Sequence, residues 1–449
     1  MTQRTEFIQK IEARLTGHKL VYFGTRGVDA RPLLELEALS DVFCQIAPLR
    51  AGGIAETCLE SITKRRVDLD SYSIDQDQSE AVQEIRARLL SAFSRRAAVL
   101  PYRPTALLTS AWFPRSRHVK HLGVFHEHQA CFEHKPWVET QLRNAGVNVI
   151  EWFYHSDLDI RRIREIAERG PVVLRANRSD GGAGITLIED PADVERLWPA
   201  HADGFLATAS YLAPSIPLNL NCCVFPGGQV TFHGPSVQLI GIKQCTTRRF
   251  GYCGNDFAAA KNLTDPVLDE LEKLGMQVGR WLSRNGYLGA FGIDALCHDG
   301  LVYLTEVNPR FQGSSRVTAE LDAALGLSDI FLHHAASFLG LSPPPQQPLR
   351  ELTRATPARA HVVCHNLLSV PAEVTSEGVR LGLPPHDVLP AAGETVDPDA
   401  VLGVVHFDAS VTTDGSDILP HAQAMLDAVI RAHYGLDLSR LAEPRADSS

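Results

Sequence analysis

Along residues 290–296 the apolar Phe291, Ile293 and Ala295 alternate with a second set of positions that contains Asp294, and after His-Asp-Gly residues 301–308 resume an extended pattern. Alternation with a period of two is typical of a half-buried strand, and Asp-Gly is a common hairpin turn. The pattern therefore predicts a β-hairpin. Because side chains alternate between the faces of a strand, Glu306 and Asn308 share one face, and Asp294 lies across the hairpin at a similar distance from the turn.

Strand and helix patterns alternate in the first third of the chain. A strand over residues 18–24 is followed by a helical stretch, the apolar run of residues 42–46 and a helix over residues 79–93. Residues 107–110 and 124–125 are predicted as further strands. This βαβ alternation favours a parallel α/β domain at the N-terminal end.

The second half of the chain begins with a strong amphipathic pattern over residues 267–282, which predicts a helix packed on a core. The proline-rich residues 342–348 predict a stiff linker and a domain boundary. Beyond the linker, short extended segments precede a closing helix at residues 422–434. This arrangement indicates a small C-terminal α+β domain.

Composition narrows the function classes. The 449 residues suggest about three domains at ~150 residues each, and 44% hydrophobic content allows substantial cores. A net charge of −10 argues against general binding to nucleic acid or to membrane surfaces, which favour basic patches. The chain has neither an apolar run of ~18 residues nor a signal-peptide core, so we expect a cytoplasmic protein with no membrane partner.

The predicted hairpin carries the strongest candidate chemistry. Asp294, Glu306 and Asn308 would bring three oxygen ligands together, as magnesium requires when it also binds substrate phosphates. Arg310 follows directly and offers a planar, bidentate cation for phosphate. The alternative is a surface hairpin whose polar face is merely solvated. The pattern favours an ATP-dependent enzyme.

These four residues, with a twelve-residue gap between the carboxylates, resemble the metal-binding end of the ATP-grasp ligases. Residues 171–175 and 185–188 are predicted as strands on either side of a glycine-rich segment that contains Gly181, Gly182 and Gly184. Glycines let the backbone approach phosphates closely. The segment resembles the phosphate-covering loop of an ATP-grasp lid, and an ordinary hairpin is the alternative.

The resemblance implies further nucleotide contacts. Arg175 stands where the family carries a lysine for the α- and β-phosphates. The positive charge is kept, but the compact ammonium group is replaced by a planar guanidinium with a forked set of donors. Lys135 matches a second family lysine at the start of a helix, with a solvated lysine as the alternative. The backbone of Tyr211 and Leu212, at the end of a hinge over residues 204–212, is expected to bind adenine, although no acidic residue stands there for the ribose.

Two more sets of residues are candidates for catalysis. Arg248 and Arg249 lie in a segment rich in cations and amides, and with Arg310 they are predicted to neutralise charge during phosphoryl transfer. A solvated basic loop is the alternative. Ser314 and Ser315 are predicted to bind the substrate carboxylate or a tetrahedral intermediate, with packing hydroxyls as the alternative.

The resemblance covers about residues 120–340 and implies an α/β and α+β multidomain protein with the ATP-grasp fold. The cofactors would be ATP and Mg²⁺, with Mn²⁺ as an alternative ion. The expected domains are an N-terminal parallel α/β domain (residues 1–130), a lid (131–205), a main subdomain with the metal site (206–342) and a C-terminal α+β domain (350–449).

The implied reaction is ADP-forming. A carboxylate would attack the γ-phosphate to give an acyl phosphate, and an amine would then form the amide. The segments QLI, FGYCGND and EVNPRFQGSS occur in an order similar to that of pheganomycin-type peptide ligases of antibiotic biosynthesis. That similarity implies an amino-acid-like acyl donor, joined to the amino group of a peptide or amino acid.

Two alternatives remain open, a small-molecule kinase and a non-catalytic nucleotide-binding protein. Arg175 in place of lysine mildly favours the non-catalytic protein, whereas the intact metal trio argues against it. The expected partners are a small-molecule carboxylate and an amine or peptide acceptor. A homodimer is expected from the frequency of twofold assemblies.

Overall fold

The computed structural model describes residues 2–108, 118–176, 181–198, 204–375 and 386–435. Their helices are α1 Gln3–Leu15, α2 Leu59–Thr63, α3 Glu80–Ala92, α4 His126–Phe132, α5 Lys135–Asn144, α6 Ile160–Ala167, α7 Asp265–Arg284, α8 Ser315–Ala324, α9 Ile330–Phe338, α10 Leu349–Ala355 and α11 Pro420–Tyr434. Short 3-10 helices lie at Gly27–Glu35, Pro191–Asp193, Pro226–Gly228 and Ala259–Asn262. No helix of this part of the chain is long and apolar enough to cross a membrane.

The strands are β1 Lys19–Arg26, β2 Leu39–Ile46, β3 Ala55–Cys58, β4 Arg65–Arg66, β5 Ala97–Pro101, β6 Val119–His121, β7 Phe153–Ser156, β8 Val172–Ala176, β9 Ile185–Ile188, β10 Phe205–Ser210, β11 Ile216–Val224, β12 Val230–Phe232, β13 Ser236–Ile240, β14 Tyr252–Asp256, β15 Gly289–His298, β16 Leu301–Asn308, β17 Ala360–His365, β18 Ala372–Glu373, β19 His386–Asp387, β20 Thr395–Val396 and β21 Val401–Phe407.

The N-terminal sheet has the order β3-β2-β1-β5-β6, and its neighbouring strands are parallel. The predicted parallel α/β domain is therefore confirmed. Two of its predicted strands are wrong, because residues 106–108 are helical and residues 124–125 form no strand. Asp75 explains the first error, since its carboxylate accepts from the backbone N–H groups of Ala106 (3.0 Å) and Leu107 (2.6 Å). Residues 109 and 110 lie outside the described ranges.

A four-stranded antiparallel sheet, ordered β7-β10-β8-β9, includes the strands of the predicted lid and is called the lid sheet below. Its small core includes Ile163 of α6 together with Leu174, Ile188 and Leu206 of the strands. β10 lies between β7 and β8, so the lid sheet continues to Ser210, and most of the expected hinge is a paired strand.

The largest sheet has the order β16-β15-β11-β13-β14-β17-β21-β19, with β12 paired to β11. The predicted hairpin is confirmed as β15 and β16, and Asp294 pairs directly with Glu306 across it. β17 pairs with β14, so the C-terminal strands continue this sheet.

The two faces of strand β11 are chemically different. Leu218, Leu220 and Cys222 face the apolar core that α7 covers. Asn219 and Asn221 alternate with them, are also buried, and bond to the segment that precedes and begins α8. The sheet therefore has one apolar face and one face lined with amides, and Asp294 lies on the amide-lined side.

Candidate active site

Asp294 is held by four amide side chains. Its Oδ1 accepts from Asn219 Nδ2 (2.8 Å), Gln238 Nε2 (2.9 Å) and Gln312 Nε2 (3.2 Å), and its Oδ2 accepts from Asn308 Nδ2 (2.9 Å). Amide donors favour the ionised carboxylate and fix its position. The side chain is thereby presented in one orientation.

Asp294 and Glu306 nevertheless repel one another. Burial raises the pKa of Asp294 most, and the nearby Glu306 carboxylate raises it further. The hydrogen bonds from Asn219 and Asn308 lower this pKa, but the result is still about 6. A cation beside both carboxylates would favour their ionised forms. Because the Asn308 amide nitrogen donates to Asp294, the Asn308 carbonyl oxygen is the atom left to bind a cation. Two carboxylates and an amide oxygen fit magnesium.

Lys135 connects the start of α5 to this hairpin. α5 begins at Lys135, as the family resemblance implies, with Pro136 in its first turn, where proline is favoured. The Lys135 Nζ lies 2.7 Å from Glu306 Oε1, and the lysine side chain is only 12% exposed. The Lys135 side chain is therefore largely buried and ion-paired, unlike the solvated lysine of the alternative interpretation.

Glu133 is a site residue that the sequence analysis missed. Its carboxylate lies 3.6 Å from Arg310 Nε and 3.1 Å from Arg103 Nη2, and it accepts from Gln129 Nε2 at 2.7 Å. These contacts place Arg310 between the hairpin and the residues preceding α5. Only the position of Glu133, two residues before Lys135, could have drawn attention to it.

Arg175 lies in a buried cluster. Its Nη2 donates to both carboxylate oxygens of Glu139 (2.7 and 3.0 Å), and its guanidinium lies 3.8 Å over the Trp152 ring. The hydroxyl of Tyr154 donates to the same carboxylate. The structure thus pairs Arg175 with α5, one helical turn beyond Lys135, and its predicted phosphate contact remains a prediction.

The described part of the glycine-rich segment has φ angles of 55°, 80° and 73° at Gly181, Gly182 and Gly184, which favour glycine. A Cβ on Gly181 would lie 1.9 Å from Asp70 Oδ2, and one on Gly182 would lie 2.1 Å from the Phe250 carbonyl oxygen. The loop therefore packs directly against the N-terminal domain and against the basic segment, residues 246–251, which contains Arg248 and Arg249. Residues 177–180 lie outside the described ranges.

The two arginines of the basic segment are both ion-paired. Arg248 binds Asp68 through Nη2 (3.0 Å) and Asp70 through Nη1. Arg249 Nη1 lies 3.0 Å from Glu189 Oε2, with side chains that are 53% and 60% exposed. Arg248 thus connects the basic segment to the N-terminal domain, and Arg249 connects it to the lid. Their action in phosphoryl transfer remains a prediction.

Ser314 and Ser315 lie in a buried network behind Asp294. Ser314 Oγ donates to Asn219 Oδ1 (2.7 Å) and accepts from Asn221 Nδ2 (2.9 Å). Ser315 Oγ donates to Asn221 Oδ1 (2.6 Å) and accepts from the Gln312 backbone N–H (2.8 Å). Both hydroxyls support the amides that hold Asp294, and substrate contact remains a prediction.

Tyr211 and Leu212 directly follow β10, where the lid sheet ends. The Tyr211 N–H donates to the Pro171 carbonyl (3.2 Å), and Leu212 packs against a small apolar cluster that includes Trp152. Adenine binding by this backbone remains a prediction, and the N–H of Tyr211 already has a partner.

Residues 140–314 match the family model of the ATP-grasp domain. Biotin carboxylase of Campylobacter jejuni, in its β-γ-ATP complex, has a TM-score of 0.62 and 16% identity, covering 95% of both chains. The biotin carboxylase domain of Hydrogenobacter thermophilus 2-oxoglutarate carboxylase, with MgADP and bicarbonate, has a TM-score of 0.61 and 15% identity. The alignment covers 92% of this chain and 90% of that chain. These likenesses show the fold.

A third similar structure is N5-carboxyaminoimidazole synthetase of Staphylococcus aureus with ADP. It has a TM-score of 0.58 and 13% identity, and the alignment covers 91% of this chain and 96% of that chain. No curated protein sequence matches the chain. The matched family range includes Asp294, Glu306, Asn308, Arg310 and Arg175, whereas Lys135 lies just before it.

Proposed function

The chain contains an ATP-grasp domain, and we propose that it is an ATP-dependent carboxylate–amine ligase that forms an amide and releases ADP and phosphate. The observation that carries this proposal is the facing pair Asp294 and Glu306, with Lys135 2.7 Å from Glu306. Two carboxylates and a cation gathered at one end of the lid are suited to a metal-bound polyphosphate.

Asp294, Glu306 and Asn308 would hold Mg²⁺, which when bound neutralises phosphate charge and orients the phosphates. Mn²⁺ has similar oxygen-ligand chemistry and is the alternative ion. Lys135 supplies a nearby positive charge to the nucleotide, and the amides around Asp294 keep its carboxylate from rotating away.

Arg310 is the cation best placed to stabilise charge that develops on the transferring phosphoryl group. It follows the metal-ligand strand by two residues, and Glu133 lies 3.6 Å from its Nε. A carboxylate partner that holds a guanidinium in one orientation lowers the cost of organising it during reaction. Glu133 therefore acts as a positioning residue for Arg310.

The packed glycine loop would exclude water. An acyl phosphate is readily hydrolysed, so the lid must close over the phosphates before the amine attacks. Gly181 and Gly182 approach Asp70 and Phe250 so closely that a Cβ at either position would collide with them. That contact seals the loop against two other parts of the chain.

The proposed chemistry has two steps. A carboxylate oxygen of the first substrate attacks the γ-phosphorus, the bond to the β-phosphate oxygen breaks, and ADP leaves. The amine nitrogen of the second substrate then attacks the acyl carbon, loses a proton and expels phosphate. We propose an amino-acid-like acyl donor and a peptide or amino-acid acceptor, as in antibiotic biosynthesis. The support for this choice is the order in which the QLI, FGYCGND and EVNPRFQGSS segments occur along the chain.

The experiment measures ADP release with MgATP across amino acids, short peptides and bicarbonate, offered singly and in pairs, with mass spectrometry of the products. Bicarbonate belongs in the panel because the Hydrogenobacter structure holds it together with MgADP. A new amide from a specific pair supports the ligase. A phosphorylated single substrate identifies a kinase, and ATP binding without turnover identifies a non-catalytic protein.

The assembly proposed for this ligase is a homodimer. The Hydrogenobacter biotin carboxylase domain with a similar fold is a dimer, and twofold assemblies are the commonest. Light scattering coupled to size-exclusion chromatography should give twice the chain mass, and a mass of one chain would contradict the proposal.

A further inference from the structure

Trp152 lies in the stretch of chain that connects the hairpin to the lid sheet. Just before it, the Ile150 N–H donates to the Leu304 carbonyl of β16 (3.0 Å), and β7 of the lid sheet begins at Phe153. The Trp152 side chain is buried, and it belongs to the same apolar cluster as Ala207 of β10. A large ring is therefore buried where the chain enters the lid sheet.

The apolar cluster around Trp152 lies between the lid sheet and the hairpin. Leu296 of β15 and Val173 of β8 both pack against it, one from the hairpin and the other from the lid sheet. Side chains alternate between the faces of a strand, so Val173 and Arg175 share this face, whereas Leu174 lies in the core on the opposite face. The Trp152 indole thus occupies the space that separates the lid sheet from the hairpin.

Two residues that the sequence assigns to the nucleotide lie around this indole. The Arg175 guanidinium, expected at the phosphates, lies 3.8 Å over the Trp152 ring. Leu212, whose backbone is expected to bind adenine, packs against the cluster that contains the ring. A nucleotide that made both contacts would pass through the space that the Trp152 ring fills.

Arg175 is held in the same packing by α5. Its Nη2 donates to both carboxylate oxygens of Glu139 (2.7 and 3.0 Å), and the Tyr154 hydroxyl donates to that carboxylate as well. The Arg175 side chain is 4% exposed. To bind phosphate, the guanidinium has to leave both the Glu139 carboxylate and the Trp152 ring, so movement of the arginine is coupled to movement of the ring.

Two buried donors make this packing costly. Trp152 Nε1 and Arg175 Nε are buried and have no hydrogen-bond partner among the residues that the structure describes. Such donors are rare, because each loses its hydrogen bond to water when it is buried. Both donors can bond to water again when the ring moves out. The packed arrangement is therefore less stable than its buried apolar surface alone would make it.

We propose that Trp152 and Arg175 form an autoinhibitory plug, which ATP must displace before it binds between the lid sheet and the hairpin. This inference rests on the proposed function, because that function places the nucleotide there. In the closed arrangement the ring fills the base site and Arg175 binds Glu139. In the open arrangement the ring leaves and Arg175 is available to phosphate. The plug lowers the affinity of the protein for ATP in proportion to the fraction that is open.

The first experiment measures MgATP affinity by calorimetry in wild-type protein and Trp152→Ala. Truncation of the ring removes the competitor, so we expect the variant to bind about tenfold more tightly, as for an open fraction of about one tenth. Trp198→Ala is the matched control, because Trp198 packs against the core on the opposite face of the lid sheet, and it should bind like wild-type protein. Equal or weaker binding by Trp152→Ala would overturn the proposal.

The second experiment needs only wild-type protein. Stopped flow measures the observed association rate of a fluorescent ATP analogue with Mg²⁺. This rate should level off at high analogue concentration, because opening of the plug becomes rate-limiting. A rate that rises linearly throughout would overturn the proposal, even where Trp152→Ala does not fold. Binding of MgATP by neither wild-type protein nor Trp152→Ala would overturn the nucleotide site itself, and with it both the proposed function and the plug.

Discussion

The β15–β16 hairpin and the basic segment of residues 246–251 both carry charges predicted to act on ATP, yet their surroundings differ. In the hairpin, Asp294 and Glu306 face one another, and the pKa of Asp294 is raised by burial and by this neighbour. In the basic segment, Arg248 and Arg249 are paired with acids of the N-terminal domain and the lid.

The difference separates two uses of charge. Asp294 and Glu306 are like charges held together by the fold, and although Lys135 pairs with Glu306, burial and Glu306 still raise the pKa of Asp294, so the pair indicates a ligand site. Opposite charges that already bind each other are satisfied without a ligand, and across domains they indicate a structural contact. On this basis the hairpin is the stronger candidate for catalysis, and the arginines of the basic segment are expected to hold the domains and lid together.

The largest expected effect comes from Glu306→Gln, which keeps the size of the side chain and removes its charge. We expect turnover to fall by about 100-fold or more, because a metal ligand and the partner of Lys135 are lost together. ADP release measures the effect. Asp299→Asn at the exposed turn of the same hairpin is the matched control, and full activity of Glu306→Gln would contradict the metal assignment.

A pH titration examines another buried group that holds β15. His334 Nδ1 accepts from the Ala290 N–H (2.9 Å), Nε2 donates to the Leu122 carbonyl (2.8 Å), and burial lowers the pKa of His334 to about 4. As the pH falls, His334 is protonated in the unfolded chain at a higher pH than in the folded protein. The stabilising contribution of the neutral His334 ring is therefore fully present above pH ~6.5 and is lost as the pH falls towards 4. Asp294, whose pKa is raised, responds in the opposite direction.

The measurement is the unfolding free energy of wild-type protein and His334→Gln between pH 4 and 7. The unfolding free energy of wild-type protein minus that of His334→Gln should increase by about 3 kcal/mol between pH 4 and pH 7. Each unit of pKa shift is worth about 1.4 kcal/mol. A difference that does not change with pH would show that the His334 ring does not titrate as described.

Arg248→Ala tests the basic segment. Because it leaves Asp68 and Asp70 without their largely buried cation, we expect the unfolding free energy to fall by about 2 kcal/mol. Chemical denaturation measures this loss. If turnover instead falls about 100-fold at unchanged stability, Arg248 acts on the reacting groups and the contrast with the hairpin fails.

Arg249→Ala should have the smallest effect. Its ion pair with Glu189 is exposed, and such pairs contribute about 0.5 kcal/mol or less. Denaturation and ADP release should both resemble those of wild-type protein. A large loss of turnover in this variant alone would assign Arg249 the phosphate contact that the sequence predicts.

The sequence was sufficient where local period determines structure. Alternation predicted the hairpin and placed Asp294 across it from Glu306, whereas the helix start at Lys135 was implied by the family resemblance. It was insufficient where distant residues decide. Asp75 makes residues 106–108 helical, Asp68 and Asp70 bind Arg248 from another domain, and β17 continues the main sheet. Contacts between residues so far apart in the sequence leave no mark on the local hydrophobic pattern around either residue.

The magnesium dependence of ATP affinity, measured by calorimetry in wild-type protein and Glu306→Gln, shows directly whether the facing carboxylates hold the metal. We predict that Mg²⁺ strengthens ATP binding about tenfold or more in wild-type protein and in Asp299→Asn, and by less than about twofold in Glu306→Gln. If Glu306→Gln keeps the full magnesium enhancement, the facing carboxylates do not hold the metal and the account of the site is wrong.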